Sequence, residues 1–278
     1  MKEFFGTLSA HLKRGIISPM FFVCTVLCTI LLIFFTRDIY MTSYYTPPGL
    51  YYFLDRADKS GSIYLTMMIT AFPAAMLFYD DWTSGNFKFI IPRVGRKKYA
   101  FAVTTAAGIV SAAVMILSYI IFSVYVLAKF PAVPDLDADT LRASSFGFPN
   151  SGLLYTGKAF LCYLLYFLTR GAMAAFFAVV AVFQSMIITN KHLTAISPIL
   201  VYILYFSFNL FYILPTLANP FVIFRNGYKL YLVFGGTQEG SLYSTISGLY
   251  PVIFCVVIIT LLSLIEAKML CSKMNKSI

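Results

Sequence analysis

Charged side chains are scarce in this chain of 278 residues: only 12% are Asp, Glu, Lys or Arg, whereas 60% are hydrophobic and 18% aromatic. An ordinary soluble domain carries about 25% charged and about 45–50% apolar residues. So few charges cannot cover a surface that faces water, and such high hydrophobicity excludes intrinsic disorder. The composition, with a mean hydropathy of +0.82, predicts a polytopic membrane protein solvated mainly by lipid.

Histidine and cysteine are also few, with two and five residues respectively. Cys24 and Cys28 would share one helix face, but no His, Asp or Glu accompanies them. We interpret them as small buried hydrophobes and not as metal ligands. No catalytic, cofactor-binding or metal-binding residue is predicted, and no enzyme activity is expected of this chain. The net charge of +10 is attributed to membrane orientation, so no nucleic-acid partner is expected.

Six apolar runs are long enough to cross about 30 Å of hydrocarbon. They cover residues 19–36, 63–79, 99–128, 159–189, 193–214 and 246–265. We therefore predict an all-α membrane domain of six transmembrane helices over residues 19–265. The segment before the last helix, 215–245, mixes polar and apolar stretches. It either re-enters the outer face of the membrane or forms a small external cap.

The distribution of Lys and Arg predicts the orientation of the chain. With the N-terminus inside, twelve cations fall in inner segments and eight in outer segments. Five of the twelve lie in the short loop 88–98, and short loops dominate the positive-inside rule. We expect a multi-pass protein of the cell membrane with both termini in the cytoplasm, including a basic tail over residues 266–278.

Residues 1–18 place apolar side chains at helical spacing, with cations on other faces. This pattern is typical of a helix that lies in the inner interface and contacts membrane lipid. A simple helical extension of the first span is the alternative.

Arg170 is the one basic residue inside a predicted span. A charge at the middle of a bilayer is costly and by default indicates a functional site, here a substrate path. Alternatively the span begins near Leu168, after a short interfacial helix over residues 159–169. Arg170 would then be an anchor that snorkels to the outer interface.

The inner loop after the second span has the most specific pattern in the chain. It contains, in order, Asp80, Asp81, Gly85, Pro92 and the cations Arg93, Arg96, Lys97 and Lys98. Positive-inside anchoring explains the cations but not the acidic pair, the glycine and the proline. We predict that Asp81 lies near the N-terminus of a short cytoplasmic helix. Gly85 would allow a partner to approach closely, and Pro92 would break the chain before the third span.

This loop resembles that of the permease subunit of type-2 ATP-binding-cassette (ABC) exporters. In that family an acidic residue, three residues, Gly, an apolar stretch, Pro and Arg-rich residues lead into the third span. The matching positions here are Asp81, Gly85, Pro92, Arg93, Arg96 and Lys97. The basic segment before the first span and the six-span layout are similar as well.

The resemblance implies a permease without a nucleotide site, paired with a second permease copy or a paralogue. Separate ABC ATP-binding subunits would hold the ATP and Mg, and the loop 80–98 would dock on them. Apolar walls suit an amphipathic or hydrophobic cargo such as a peptide, a lipid or a drug-like compound. A secondary transporter and a non-transporting membrane sensor or scaffold are the alternatives. Against the secondary transporter, no acidic residue lies inside a predicted span.

Overall fold

The structure is a computed structural model that describes residues 2–42, 48–60, 62–136, 141, 148, 150–185, 252–253 and 256–269. Its helices are α1 (Lys2–Ile16), α2 (Pro19–Thr42), α3 (Leu50–Lys59), α4 (Ser62–Thr83), α5 (Phe87–Val94), α6 (Arg96–Leu127), α7 (Gly152–Tyr155), α8 (Ala159–Ser185) and α9 (256–269). The described residues contain no strand, which agrees with the predicted all-α class.

Among the residues that the structure describes, three helices are long and apolar enough to cross a membrane: Pro19–Ile39 within α2, all of α6 and all of α8. They coincide with the first, third and fourth predicted runs, so the structure supports a membrane protein with three candidate spans. Helix α4 covers the second run, and α9 covers part of the sixth. The fifth run and the segment 215–245 lie outside the described residues.

Helix α6 is central to the described bundle, because α1, α2, α4 and α8 all pack against it. Small side chains permit the closest approach, as membrane helices require. The Ser111 hydroxyl donates a hydrogen bond of 3.1 Å to the carbonyl of Ala174 on α8. A Cβ atom added at Gly108 would lie 3.6 Å from that of Ala175. Small residues on α6 and α8 therefore let these two helices pack closely at these contacts.

Helix α1 is a separate helix, so its interpretation as an extension of the first span is wrong. The chain bends at residues 17–18, and the Ser18 hydroxyl accepts a hydrogen bond of 3.2 Å from the Phe21 amide in the first turn of α2. Near its C-terminal end, α1 contacts α6 so closely that a Cβ atom on Gly15 would lie 2.6 Å from a methyl carbon of Val110.

Helix α3 was not predicted, because its ten residues were taken as part of an outer loop. It carries buried Leu50, Phe53, Leu54 and Ala57 on one face. These side chains join a hydrophobic cluster with α6 and α8, including Met115. The contacts hold α3 against the end of the bundle that lies opposite α5. We call the two ends of the bundle the α3 end and the α5 end.

Candidate functional site

Asp81 lies in the last turn of α4, which corrects its predicted place at the start of a short helix. Helix α4 continues through the acidic pair to Thr83. Its end is stabilised by the Ser84 hydroxyl, which donates a hydrogen bond of 2.6 Å to the carbonyl of Asp80. Gly85 then adopts a φ of +72°, a left-handed conformation that terminates the helix. Helix α4 thus extends past the acidic pair, and Gly85 sets its boundary.

The carboxylate of Asp81 joins three helices at the α5 end. It is fully buried and accepts a hydrogen bond of 2.7 Å from Nη1 of Arg14 on α1. Its other oxygen accepts one of 2.9 Å from the hydroxyl of Tyr99 on α6. Nε2 of His11 on α1 lies 3.7 Å from that same oxygen. We call these four residues the Asp81 cluster. Asp80, its sequence neighbour, is exposed.

His11, the other α1 residue of this cluster, is buried, with an exposed fraction of 4%. Burial lowers the pKa of His11, Asp81 opposes that shift, and Arg14 adds to it. The lowered pKa agrees with the geometry, because Asp81 already has Arg14 and Tyr99 as hydrogen-bond partners. The imidazole ring also packs edge-on against Tyr99, with ring centroids 6.0 Å apart. His11 therefore fits this site as a neutral side chain.

Helix α5 begins after Gly85 and ends before Gly95, which has a φ of +89°. Pro92 lies inside α5, so the break before α6 is made by Gly95 and not, as predicted, by the proline. A Cβ atom at either glycine would meet no atom within 4 Å. Each glycine is therefore required here by its backbone conformation, since L side chains rarely adopt positive φ.

One face of α5 is buried and the opposite face is exposed. Phe87 and Ile91 are 9% and 3% exposed and pack in a cluster with side chains of α4, α6, α8 and α9. Phe89, by contrast, is 72% exposed. Lys88 and Arg93 are exposed around it. Helix α5 is thus fixed to the bundle by two side chains and presents an aromatic ring surrounded by cations.

The remaining predicted loop residues lie at the start of α6. Arg96 is half-buried, and Lys97 and Lys98 are exposed. Lys98 also pairs with Glu3 on α1, with 3.6 Å between nitrogen and oxygen. The loop prediction therefore grouped residues that the structure divides between the end of α4, helix α5 and the first turn of α6.

Arg170 is buried at the α3 end, with an exposed fraction of 2%. Its guanidinium forms an ion pair with Asp58 of α3 and stacks over the ring of Tyr166 at 4.9 Å. Asp58 also accepts hydrogen bonds of 2.7 Å from the hydroxyl of Tyr166 and 3.1 Å from that of Tyr119. We call these four residues the Arg170 cluster.

The prediction of a separate interfacial helix over residues 159–169 is wrong. Helix α8 is continuous from Ala159 to Ser185, so no interfacial helix ends at Thr169. The guanidinium is buried and contacts Asp58 of α3 and Tyr166 of α8. Sequence reasoning missed its partner Asp58 because α3 was taken as a loop. The only available signal was the helical spacing of apolar residues around Asp58.

Glu266 is buried, like Asp81 and Arg170, but the sequence analysis did not identify it. The predicted sixth span ended at Ile265, but α9 continues to residue 269 and buries Glu266 completely. Its carboxyl group contacts the hydroxyl of Thr104 on α6. Glu266 lies one residue beyond the predicted sixth span, and Asp58 lies in α3 between the first and second predicted spans. Neither residue contradicts the prediction that no acidic residue lies inside a predicted span. The remaining part of the predicted tail, 270–278, lies outside the described residues.

No protein-family model, curated protein or solved structure matches this chain. The assignment of a function therefore depends on the two clusters and on α5. Within the described ranges, no group of three or more His, Cys, Asp or Glu side chains could hold a metal ion. The chemistry available at these sites is ion pairing, hydrogen bonding and apolar packing.

Proposed function

We propose that this chain is the membrane-spanning permease subunit of an ATP-driven ABC exporter. In this proposal residues 19–265 form six transmembrane helices in the cell membrane, and both termini and the α5 end face the cytoplasm. A second copy or a paralogue completes the translocation path for an amphipathic or hydrophobic cargo. ATP and Mg bind to a separate ATP-binding subunit.

The observation that carries the proposal is the exposed face of α5. A helix anchored by Phe87 and Ile91 that leaves Phe89 72% exposed has the form of a docking element, because a large exposed aromatic side chain is typical of an interface anchor. The adjacent cations Lys88 and Arg93 favour an acidic partner surface and faster association.

The Asp81 cluster supplies a rigid connection from α5 to the membrane helices. Asp81 holds the end of α4, which leads into α5 through Gly85, while Arg14 and Tyr99 connect it to α1 and α6. A displacement of α5 by a docked ATPase would thus act on three helices together. In this proposal the loop 80–98 couples ATP hydrolysis to movement of the bundle, and α1 contacts lipid of the inner leaflet.

The test is to purify the tagged chain from its own membranes and measure ATP hydrolysis by the preparation. We expect an ATP-binding subunit to co-purify and to hydrolyse ATP. The preparation with Phe89→Ala should lose most of its ATP hydrolysis. The control Phe160→Ala, which removes a ring 82% exposed on α8, should keep the hydrolysis of the wild type. Equal hydrolysis by the two variants would contradict docking at α5.

Secondary transport is the second candidate, because Glu266 is a buried acidic group of the kind that proton or ion coupling requires. Asp58, whose side chain is 14% exposed, supplies a second acidic group. In this alternative the chain uses an ion gradient, and no ATPase is needed. Uptake into vesicles distinguishes the two mechanisms. Dependence on ATP favours the exporter, and dependence on an imposed pH gradient without ATP favours the secondary transporter.

A further inference from the structure

Glu266 and Thr104 meet at the contact between α9 and α6, near the α5 end of the bundle. The hydroxyl oxygen of Thr104 lies 2.8 Å from the carbonyl oxygen of Ala100, one turn earlier in α6. The same hydroxyl oxygen contacts Oε2 of Glu266. Both contacts are buried.

The Thr104 hydroxyl has two oxygen neighbours but only one proton, and this bears on whether Glu266 is protonated. A hydroxyl group has one proton to donate and two lone pairs that accept. If Thr104 donates to the Ala100 carbonyl, as a threonine inside a helix commonly does, no proton remains for Oε2. The contact between the two oxygens is then a hydrogen bond only if Glu266 carries the proton and donates it to Thr104.

The surroundings of Glu266 also favour the neutral acid. The residue is 0% exposed, and its Oε1 has no hydrogen-bond partner in the part of the chain that the structure describes. No Lys, Arg or His forms an ion pair with it among these residues. A buried carboxyl group without a cation is more stable protonated than ionised.

Titratable groups on the neighbouring helices are already engaged or face outward. Tyr99 on α6 donates to Asp81 on α4, and Lys88 on α5 and Lys268 on α9 are exposed. The hydrophobic cluster around Ala267, the next residue on α9, contains Phe87, Tyr99 and several alanines. None of these groups provides a positive charge to Glu266.

We propose that Glu266 is a proton-binding site whose carboxyl group is neutral while α6 and α9 are packed together. Water or a cation that entered between these helices would stabilise the carboxylate, and the proton would leave. Because the packed state binds the proton more strongly than an open state, a rise in pH favours opening. This protonation does not depend on whether transport is driven by ATP or by an ion gradient.

The direct test is infrared spectroscopy of the purified chain at neutral pH, comparing wild type with Glu266→Gln. We expect the difference spectrum to show loss of the carbonyl band of a protonated carboxylic acid. The matched control Glu3→Gln removes a carboxylate that is 61% exposed, and should show loss of carboxylate bands instead. Loss of carboxylate bands in Glu266→Gln would overturn the proposal.

Thr104→Val provides an independent variant. It removes the hydroxyl acceptor but leaves Glu266 buried, so the carbonyl band should remain and shift towards the frequency of a weakly hydrogen-bonded acid. Raising the pH should convert the band to carboxylate bands only above the range where exposed glutamates titrate. Conversion of the band in the pH range where exposed glutamates titrate would contradict a buried proton site.

Discussion

Nη1 of Arg14 on α1 donates a hydrogen bond of 2.7 Å to Oδ1 of Asp81 on α4. The two residues are 67 positions apart in sequence, and their contact joins the N-terminal helix to the element that precedes α5. Asp81 is fully buried, whereas the Arg14 side chain is 43% exposed. Folding therefore removes more water from Asp81 than from Arg14, so the burial of Asp81 depends more strongly on their ion pair.

Replacing Asp81 with Asn should destabilise the protein by about 2 kcal/mol, because a buried hydrogen bond to a charged group is lost. The neighbouring variant Asp80→Asn alters an exposed side chain and should change stability by no more than about 0.5 kcal/mol. Thermal unfolding of both variants in the same detergent measures the difference. Equal shifts in Tm would show that the Asp81 cluster does not stabilise the fold.

Acidic pH should destabilise the chain through His11. Since burial lowers the pKa of His11 in the folded protein, the unfolded chain binds the proton first as pH falls below 6.5. Stability contributed by the neutral imidazole is present above that pH and is lost as pH falls towards the lowered value. His11→Gln should reduce the loss of Tm between neutral and mildly acidic pH. Lys13→Gln, at an exposed position of the same helix, is the control, and an unchanged slope in His11→Gln would contradict the account.

Gly15 should be intolerant of even one added carbon atom. A Cβ atom there would lie 2.6 Å from Val110, a short, branched and buried side chain with little room to move. Gly15→Ala should cost about 1–3 kcal/mol through overpacking. Gly6→Ala, in the same helix with nothing within 4 Å, should be neutral or stabilise by up to about 1 kcal/mol through helix propensity. Unfolding of the two alanine variants compares them directly, and similar stabilities would refute close packing of α1 on α6.

Removing one partner of the Arg170–Asp58 pair, whose side chains are 2% and 14% exposed, should be far more damaging than breaking the exposed pair that Arg56 forms on α3. Arg170→Met leaves Asp58 without its cation and should cost about 3–5 kcal/mol. Adding Asp58→Asn to that variant should recover part of the loss. Arg56→Ala breaks the pair with Asp38, in which both side chains are about half exposed, and should have little effect. A double-mutant cycle without coupling between positions 58 and 170 would argue against the Arg170 cluster.

The sequence predicted the long helices because apolar runs in a membrane protein reflect the thickness of the bilayer and need no knowledge of tertiary contacts. The start of α8 at Ala159 was predicted correctly on this basis. Helix α3 was missed, since its ten residues are too short for such a signal. Its burial comes from contacts with residues distant in sequence, such as Met115.

The Asp81 cluster was also predicted only in part, because its contacts join residues that are distant in sequence. The loop pattern singled out Asp81, but His11, Arg14 and Tyr99 lie on other helices and reach it only in the folded chain. The position of the helix boundary was also mispredicted, because Gly85 and Gly95 act through positive φ, which composition does not reveal. Glu266 was assigned to the tail because the apolar run of the predicted sixth span ends at Ile265.

Site-specific photo-crosslinking at α5 tests the proposed function most directly. Benzoylphenylalanine would replace Phe89, with the same replacement at Phe160 as the control, because both rings are highly exposed and lie on different helices. The account predicts a crosslink from position 89 to a subunit that binds ATP, and none from position 160. Labelling of the ATP-binding subunit from position 160 but not from position 89, or no crosslink to it from α5 in a preparation that hydrolyses ATP, would contradict docking at this helix.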